Sequence, residues 1–198
     1  LRSTKINADR VAGVLASMGI PAHAEVGGSL MGALEVRDVI AALQVLDNFQ
    51  QDIPLAGVLR SGIFGDRFNE DELVEIRLVN RDEPFHAVVR RYVDSGSDSA
   101  LRQRLQTLLL RIRNDRDEIV RRPLAQTVWN LLERQGYMAY ASGLPNGAQR
   151  RANLLKLYDI ARRFSSHRRQ GLHRFLRLIE SLADEDQSVA VAPAGGAG

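Results

Sequence analysis

Two glycines, three residues apart, lie between two arginines in the stretch Arg60-Ser61-Gly62-Ile63-Phe64-Gly65-Asp66-Arg67. Glycines allow backbone N–H groups to approach a phosphate closely, and the helix that follows would offer the positive end of its dipole. The same stretch also fits a plain turn between two helices, in which Ile63 and Phe64 fill the core. From these residues alone, phosphate binding and a structural turn both remain open.

A second candidate is a run of basic residues in which Asp159 is the single acidic residue. The run comprises Arg150, Arg151, Lys156, Arg162, Arg163, Arg168, Arg169, Arg174 and Arg177. Basic side chains that neutralise phosphates release counterions, which gives strong, salt-sensitive binding that ignores base sequence. The alternative is a solvated polar face on two amphipathic helices, where arginine stems cover apolar surface.

No catalytic motif accompanies these basic features. The sequence contains no G-x-x-x-x-G-K-[ST], G-x-S-x-G or H-E-x-x-H pattern, so it offers no phosphate-cradling loop, nucleophile elbow or zinc helix. It has no cysteine, which excludes disulfides and thiolate chemistry. The histidines are scattered, and His167 and His173 are six residues apart rather than the four that place two ligands on one helical face. We therefore predict no catalytic residue and no metal ligand.

The composition is that of a folded globular protein, with 198 residues of which 44% are hydrophobic and 26% charged. No apolar run reaches the roughly 18 residues of a membrane span, and no secretory leader is visible, so we expect a protein of a bacterial-type cytosol with no membrane partner. The net charge of +3 hides an asymmetry, because residues 1–100 carry 10 basic and 15 acidic residues whereas residues 101–198 carry 17 and 9. Arginine supplies 25 of the 27 basic residues. Arginine suits a polyanionic partner, although a GC-rich genome would produce the same bias.

Apolar periodicity predicts a mainly α fold, a multi-helix domain preceded by a small α/β fragment. The fragment has the end of a strand over 1–4, a helix over 8–18, a strand over 22–26 and a helix over 34–47. Six to eight helices follow, with capping residues, prolines and glycines marking their ends. Their expected ranges are 53–60, 70–79, 84–93, 101–121, 123–135, 148–164 and 170–182. Residues 184–198 have linker composition, and both ends of the chain are expected to continue into a larger protein.

The order of several short segments carries a resemblance to a known family. Towards the amino terminus these are Leu1-Arg2-Ser3-Thr4, Ala16-Ser17-Met18-Gly19-Ile20-Pro21, Gly27-Gly28, Glu35-Val36-Arg37-Asp38 and Leu46-Asp47-Asn48. Further along they are Gln51-Asp52-Ile53-Pro54-Leu55, Val58-Leu59-Arg60-Ser61, Gly65, Gly136-Tyr137, 144–150, Ala152-Asn153-Leu154 and 171–176. The first set resembles UvrD-like superfamily 1 DNA helicases, and the second is similar to the AddA type of ATP-dependent helicase/nuclease within them.

The resemblance implies a division of the chain into three parts. Residues 1–48 would be part of a RecA-like second motor domain, 49–183 a helical insertion called domain 2B, and 184–198 a flexible linker. ATP and Mg²⁺ would be cofactors of the parent protein and not of this chain, which by itself would hydrolyse no ATP and cut no DNA. The implied partners are DNA at a junction of duplex and single strand, the remaining helicase domains and a second helicase/nuclease subunit.

The resemblance also assigns site residues. In such helicases a helical hairpin containing glycines grips duplex DNA, and the stretch 60–67 falls at the matching place. The residues implied to contact the DNA backbone are Arg60, Gly62, Ile63, Phe64, Gly65 and Arg67. Gly27, Gly28 and Arg37 match a segment near the translocating single strand. For Arg37, the alternative is an ion pair with Asp38 or Glu35 on its own helix.

The expected function is a DNA-binding accessory region of a 3′–5′ helicase/nuclease that acts in double-strand-break repair and recombination. An alternative is a protein-interaction module that docks either the partner subunit or the other domains of the parent protein. The third hypothesis is a free-standing helix-turn-helix regulator, but it would leave the α/β fragment unexplained.

Overall fold

The computed structural model describes residues 29–191, apart from 120, 135 and 167–170, and the side chains of the last helix as far as residue 184. The helices in this part of the chain are α1 (Leu34–Asp47), α2 (Asp52–Ser61), α3 (Glu70–Leu78), α4 (Phe85–Ser95), α5 (Ser99–Ile119), α6 (Leu124–Glu133), α7 (Tyr137–Gly143), α8 (Gly147–Ser165) and α9 (Leu172–Val191). The described residues contain no strand, and the predicted mainly α class is confirmed. The predicted strands over 1–4 and 22–26 and the predicted helix over 8–18 lie outside the described residues. No helix within the described ranges is both long enough and apolar enough to cross a membrane.

Helix α1 lies at the centre of the helical assembly. It packs against α2, α5, α6, α8 and α9. Its predicted range of 34–47 is confirmed, and its apolar residues at helical spacing are completely or almost completely buried. These residues are Val36, Val39, Leu43 and Leu46. The predicted domain boundary after residue 48 stays a prediction, and α1 shares one hydrophobic core with the helices that follow it.

Side-chain caps explain where two of the helices begin. The Asn69 Oδ1 atom accepts from the Glu72 backbone N–H at 2.9 Å, and the Glu72 Oε2 atom accepts from the Asn69 N–H at 2.8 Å. This reciprocal pair is the capping box that the sequence predicts for α3. Helix α4 follows Pro84, which has no capping side chain, and the Asp52 carboxylate accepts from the N–H groups of Phe85 and His86 instead. A residue of α2 therefore supplies the cap of α4.

Two elements differ from the predicted set. Helix α7 is absent from that set, because it has only seven residues and follows Gly136, a residue typical of the end of the preceding helix. Gly136 does adopt a left-handed conformation with φ of +68°, but it lies at the start of α7. Helix α9 runs to Val191, beyond the predicted end at 182, because no glycine or proline interrupts the sequence before Pro193.

Candidate nucleic-acid interface

The hairpin, residues 60–67, is a tight connection between α2 and α3. Gly62 ends α2 with φ of +71°, and Gly65 has φ of +101°, both in the range that glycine adopts without strain. The Gly65 N–H donates to the Gly62 carbonyl at 2.8 Å, and the Phe68 N–H donates to the Leu59 carbonyl at 2.9 Å. The predicted glycine turn is therefore present, and its own backbone hydrogen bonds hold it closed.

Ile63 and Phe64 lie inside the core and not on the surface of the hairpin. They are 0% and 1% exposed, so their backbone atoms are covered together with their side chains. The Ile63 N–H also donates to the Ser61 Oγ atom at 3.3 Å. In this conformation the exposed residues of the hairpin are Arg60, Gly65 and Arg67, while Gly62 is half-buried. The side chains of Ile63 and Phe64 therefore fill the core, as the alternative of a plain turn between two helices predicts.

Two arginines of α5 donate hydrogen bonds to backbone carbonyls of the hairpin. The Arg111 Nη1 atom donates to the Phe64 carbonyl at 2.6 Å, and the Arg104 Nη2 atom donates to the Arg67 carbonyl at 2.7 Å. Arg104 also forms an ion pair with Glu72. Because Arg104 and Arg111 are seven residues apart, they lie on one face of the helix and grip both sides of the turn. Neither arginine was predicted from the sequence, because the local pattern of α5 does not indicate that this helix packs against residues 64 and 67.

Arg67 is the most connected residue of the hairpin. Its Nε atom donates to the Arg60 carbonyl at 2.9 Å, and its Nη1 atom donates to the Tyr140 hydroxyl at 2.7 Å. The Arg67 guanidinium carbon lies 5.4 Å from the centroid of the Tyr140 ring, within the range of a cation–π contact. These contacts orient the guanidinium, and its Nη2 atom has no hydrogen-bond partner among the described residues.

Asp38 links helix α1 to helix α7. Its Oδ2 atom accepts from the Tyr137 hydroxyl at 2.5 Å. Burial raises the pKa of Asp38 above its ordinary value, while the Tyr137 hydrogen bond and the charges of Arg67 and Arg37 act in the opposite direction. Burial and the neighbouring Asp38 carboxylate raise the pKa of Tyr137. The two arginines predicted from separate segments therefore act on one half-buried carboxylate.

Arg37 is exposed and forms no ion pair with any described residue. It pairs with neither Glu35 nor Asp38 on its own helix, and the Glu35 carboxylate accepts from Arg150 and Asn153 instead. We use the name hairpin surface for Arg60, Gly65 and Arg67 together with Tyr140, Arg37 and Asp38. Gly27 and Gly28, which the resemblance places beside Arg37, lie outside the described residues.

The basic run from residue 150 divides between structural and solvated arginines. Arg150 forms a 2.7 Å ion pair with Glu35, which is only 4% exposed. Arg162 and Arg163 are exposed and both pair with Asp159, at 2.8 and 2.7 Å. In the described part of the run, Arg150 is therefore a structural anchor that points inward, and Arg162 and Arg163 belong to a solvated helix face. Arg168 and Arg169 lie outside the described residues. Among all the residues that the structure describes, no three His, Asp or Glu side chains are grouped so as to hold a metal ion.

Comparison with known proteins gives one consistent result. No family model matches the chain. Proteins named as the AddA subunit of an ATP-dependent helicase/nuclease do match it: that of Oceanobacillus iheyensis is 35% identical over 188 residues, which are 94% of this chain and 15% of that protein. The corresponding protein of Desulforamulus reducens is 37% identical over 97% of this chain, and that of Desulforudis audaxviator is 41% identical over 88%. The chain spans about 15% of the length of these curated relatives.

Proposed function

Because the chain belongs to the AddA family of ATP-dependent helicase/nucleases, as a stretch matching about 15% of its relatives' length, we propose that it is a DNA-binding region of such an enzyme. Its part is to hold the DNA backbone through the hairpin surface while the rest of the protein does the chemistry. The residues that contact phosphate are Arg60, Arg67 and Arg37, and the exposed Gly65 allows the backbone to come close. Gly62, Ile63 and Phe64 shape the turn, and Gly27 and Gly28 extend the same contact.

The observation that carries this proposal is that three arginines of the hairpin surface are exposed and have no carboxylate partner among the described residues. Arg60, Arg67 and Arg37 are exposed, and none of them forms an ion pair with a carboxylate of the described residues. Arg67 is in addition held in place by the Arg60 carbonyl and the Tyr140 hydroxyl. An oriented guanidinium with free N–H groups loses less entropy when it binds phosphate than a mobile one does.

The parent activity that fits this role is ATP-dependent, 3′–5′ unwinding with nuclease action during double-strand-break repair and recombination. Residues 1–48 then belong to a RecA-like motor domain and 49–183 to the helical insertion, domain 2B, with a linker after 183. ATP and Mg²⁺ act in the remaining part of the parent protein. The relatives are each named as one subunit of their enzyme, which implies that a second subunit is the partner. The protein works on DNA junctions in the bacterial cytoplasm, at the nucleoid.

A docking role is the second candidate, and an apolar groove favours it. The groove lies between α2, α3 and the start of α4, and its lining includes Leu73 and Phe85. Ile53 and Val74 in the same groove are 87% and 55% exposed. Exposed aliphatic side chains grouped in this way are typical of a surface that another protein domain covers. The groove and the hairpin surface share no residue, and only DNA binding depends on the hairpin surface.

Charge reversal tests the DNA-binding proposal. We expect the double variant Arg60→Glu/Arg67→Glu to lose at least tenfold in affinity for forked DNA at low salt, to a similar extent for unrelated base sequences. The matched control is Arg162→Glu/Arg163→Glu, which makes the same change of charge on the solvated face of α8. Fluorescence anisotropy measures both, and circular dichroism confirms that both variants are folded. If the first variant keeps its affinity and the control loses it, the DNA contact lies on α8 and not on the hairpin surface, and the proposal is wrong.

A further inference from the structure

Tyr140 is a large aromatic residue that the fold leaves open to solvent at the hairpin surface. It is 40% exposed, although its helix α7 buries Tyr137, Met138 and Ala141 against the core. In a helix as short as α7, burial of those three residues fixes the orientation of the whole element. Tyr140 therefore points away from the core because its neighbours point into it.

The ring of Tyr140 is held in position by two neighbouring residues. The Arg67 Nη1 atom donates to its hydroxyl at 2.7 Å, and the Arg67 guanidinium lies 5.4 Å from its ring centroid. The Tyr137 ring lies 6.1 Å away between centroids, and the Tyr137 hydroxyl is itself anchored on Asp38. An exposed aromatic ring that is already immobilised can accept a flat partner at little cost in conformational entropy.

We propose that Tyr140 is a stacking platform for an unpaired nucleobase, so that the hairpin surface recognises a nucleotide at the edge of a duplex and not the backbone alone. This inference rests on the proposed DNA-binding function. Arg67 and Arg37 supply the charge for the phosphate, and the Tyr140 ring supplies a π-face for the base that follows it. Single-strand-binding surfaces combine these two elements, a cationic track and aromatic rings, because stacking tolerates any base.

The competing explanation is that Tyr140 only serves as a hydrogen-bond partner for Arg67. The two roles depend on different atoms, the ring in the first and the hydroxyl in the second. Tyr140→Phe keeps the ring and removes the hydroxyl, whereas Tyr140→Leu removes both. Trp129 offers a matched control, since it is 38% exposed and its ring packs 5.0 Å from that of Tyr158 on another part of the surface.

The test measures the binding of the full chain to two DNAs at low salt, a blunt duplex and a duplex with a single-stranded overhang. The overhang carries 2-aminopurine at its first unpaired position, because stacking on a tyrosine changes the fluorescence of that base. We expect Tyr140→Leu to lose about tenfold more affinity for the overhang DNA than for the blunt duplex, because binding of the blunt duplex is weakened only through the lost orientation of Arg67. Tyr140→Phe is expected to weaken binding to the two DNAs by the same factor, because it removes the hydroxyl that orients Arg67 and keeps the ring. Trp129→Leu is expected to bind both DNAs like the unaltered chain.

Each other result has a definite meaning. If Tyr140→Leu binds the overhang like the unaltered chain and gives the same 2-aminopurine signal, the stacking role is wrong while backbone binding stands. If Tyr140→Phe loses as much as Tyr140→Leu on both DNAs, the hydroxyl and not the ring is what matters, and stacking is again wrong. If the unaltered chain binds neither DNA at low salt, the proposed function falls, and the stacking role falls with it.

Discussion

The Arg150 guanidinium donates to the buried Glu35 carboxylate at 2.7 Å and thereby joins residues 115 positions apart in the sequence. The second carboxylate oxygen of Glu35 accepts from the Asn153 amide, also at 2.7 Å. The Arg150 Nε atom in turn donates to the Pro145 carbonyl at 3.0 Å. A buried carboxylate is tolerated only when such partners satisfy it, so this network ties the start of α8 to the central helix α1.

Removing the charge of Glu35 should destabilise the fold. We expect Glu35→Gln to lower the free energy of unfolding by about 2 to 3 kcal/mol, because Arg150 is left partly buried without its counter-charge. Urea denaturation followed by circular dichroism measures this change. The control is Asp159→Asn, which unpairs the exposed Arg162 and is expected to leave the urea midpoint almost unchanged. Equal midpoints for Glu35→Gln and the unaltered chain would contradict the anchoring role.

The start of α8 should not tolerate a side chain at Gly147. A Cβ atom there would lie 1.8 Å from the Ser142 carbonyl oxygen, so the backbone would have to move. We expect Gly147→Ala to cost about 2 kcal/mol of unfolding free energy. Gly143→Ala is the matched control, because a Cβ at Gly143 meets no atom within 4 Å. Thermal unfolding of the two variants checks the prediction, which fails if the two melting temperatures are the same.

Asp52 makes the stability of the chain depend on pH in the acidic range. Partial burial pushes its pKa up, but the backbone N–H groups of His86 and Phe85 and the His86 ring outweigh burial and hold the pKa of Asp52 below its ordinary value. A carboxylate with a lowered pKa in the folded state stabilises the fold above its ordinary pKa of about 4, and the contribution disappears as the pH falls through the folded-state value.

We therefore expect Asp52→Asn to cost at most about 1 kcal/mol at pH 7, since the carboxylate is 41% exposed and solvent screens it. The difference from the unaltered chain should shrink towards zero below pH 4. Urea denaturation at pH 7, 5 and 3 measures it, with the exposed Asp117→Asn as the control. A difference that stays constant down to pH 3 would show that the charge of Asp52 does not matter.

Asp38 should weaken the binding of DNA by the hairpin surface. Its carboxylate attracts Arg67 and Arg37, and a phosphate that approaches these arginines is repelled by the same charge. We expect Asp38→Asn to raise the affinity for DNA about two- to fivefold at low salt, an effect that higher salt screens. Asp115→Asn, which alters a half-buried carboxylate paired with Arg134, is the control. Unchanged affinity in the Asp38 variant would separate Asp38 from the binding surface.

Local signals predicted most of the helices because each rests on a few neighbouring residues. The capping box of Asn69 and Glu72 and the apolar stripe of α1 are of this kind, and both are confirmed. The surroundings of the hairpin were harder to predict because they depend on packing between distant segments. Nothing near Tyr140 in the sequence indicates that it meets Arg67, 73 positions away, and nothing near Arg111 indicates that it binds the Phe64 carbonyl.

The basic run also shows that local sequence does not predict contacts between distant segments. Composition alone groups Arg150 with Arg162 and Arg163, yet the first is an internal anchor and the other two pair with Asp159 on the surface. The buried partner Glu35 is what distinguishes them, and its burial is a property of the assembled helices. The resemblance of short ordered segments was more informative than charge, because it pointed to the same helicase/nuclease subunits that the comparisons then matched to this chain.

The salt dependence of DNA binding tests the central claim most directly. The affinity of the unaltered chain for forked DNA is measured by anisotropy between about 25 and 200 mM salt, next to the variant Arg60→Ala/Arg67→Ala. We expect log K to fall steeply with log salt for the unaltered chain, and the slope of the variant to be smaller by nearly two, close to one unit for each lost phosphate contact. Identical slopes for the two proteins, or no binding at the lowest salt, would contradict the account.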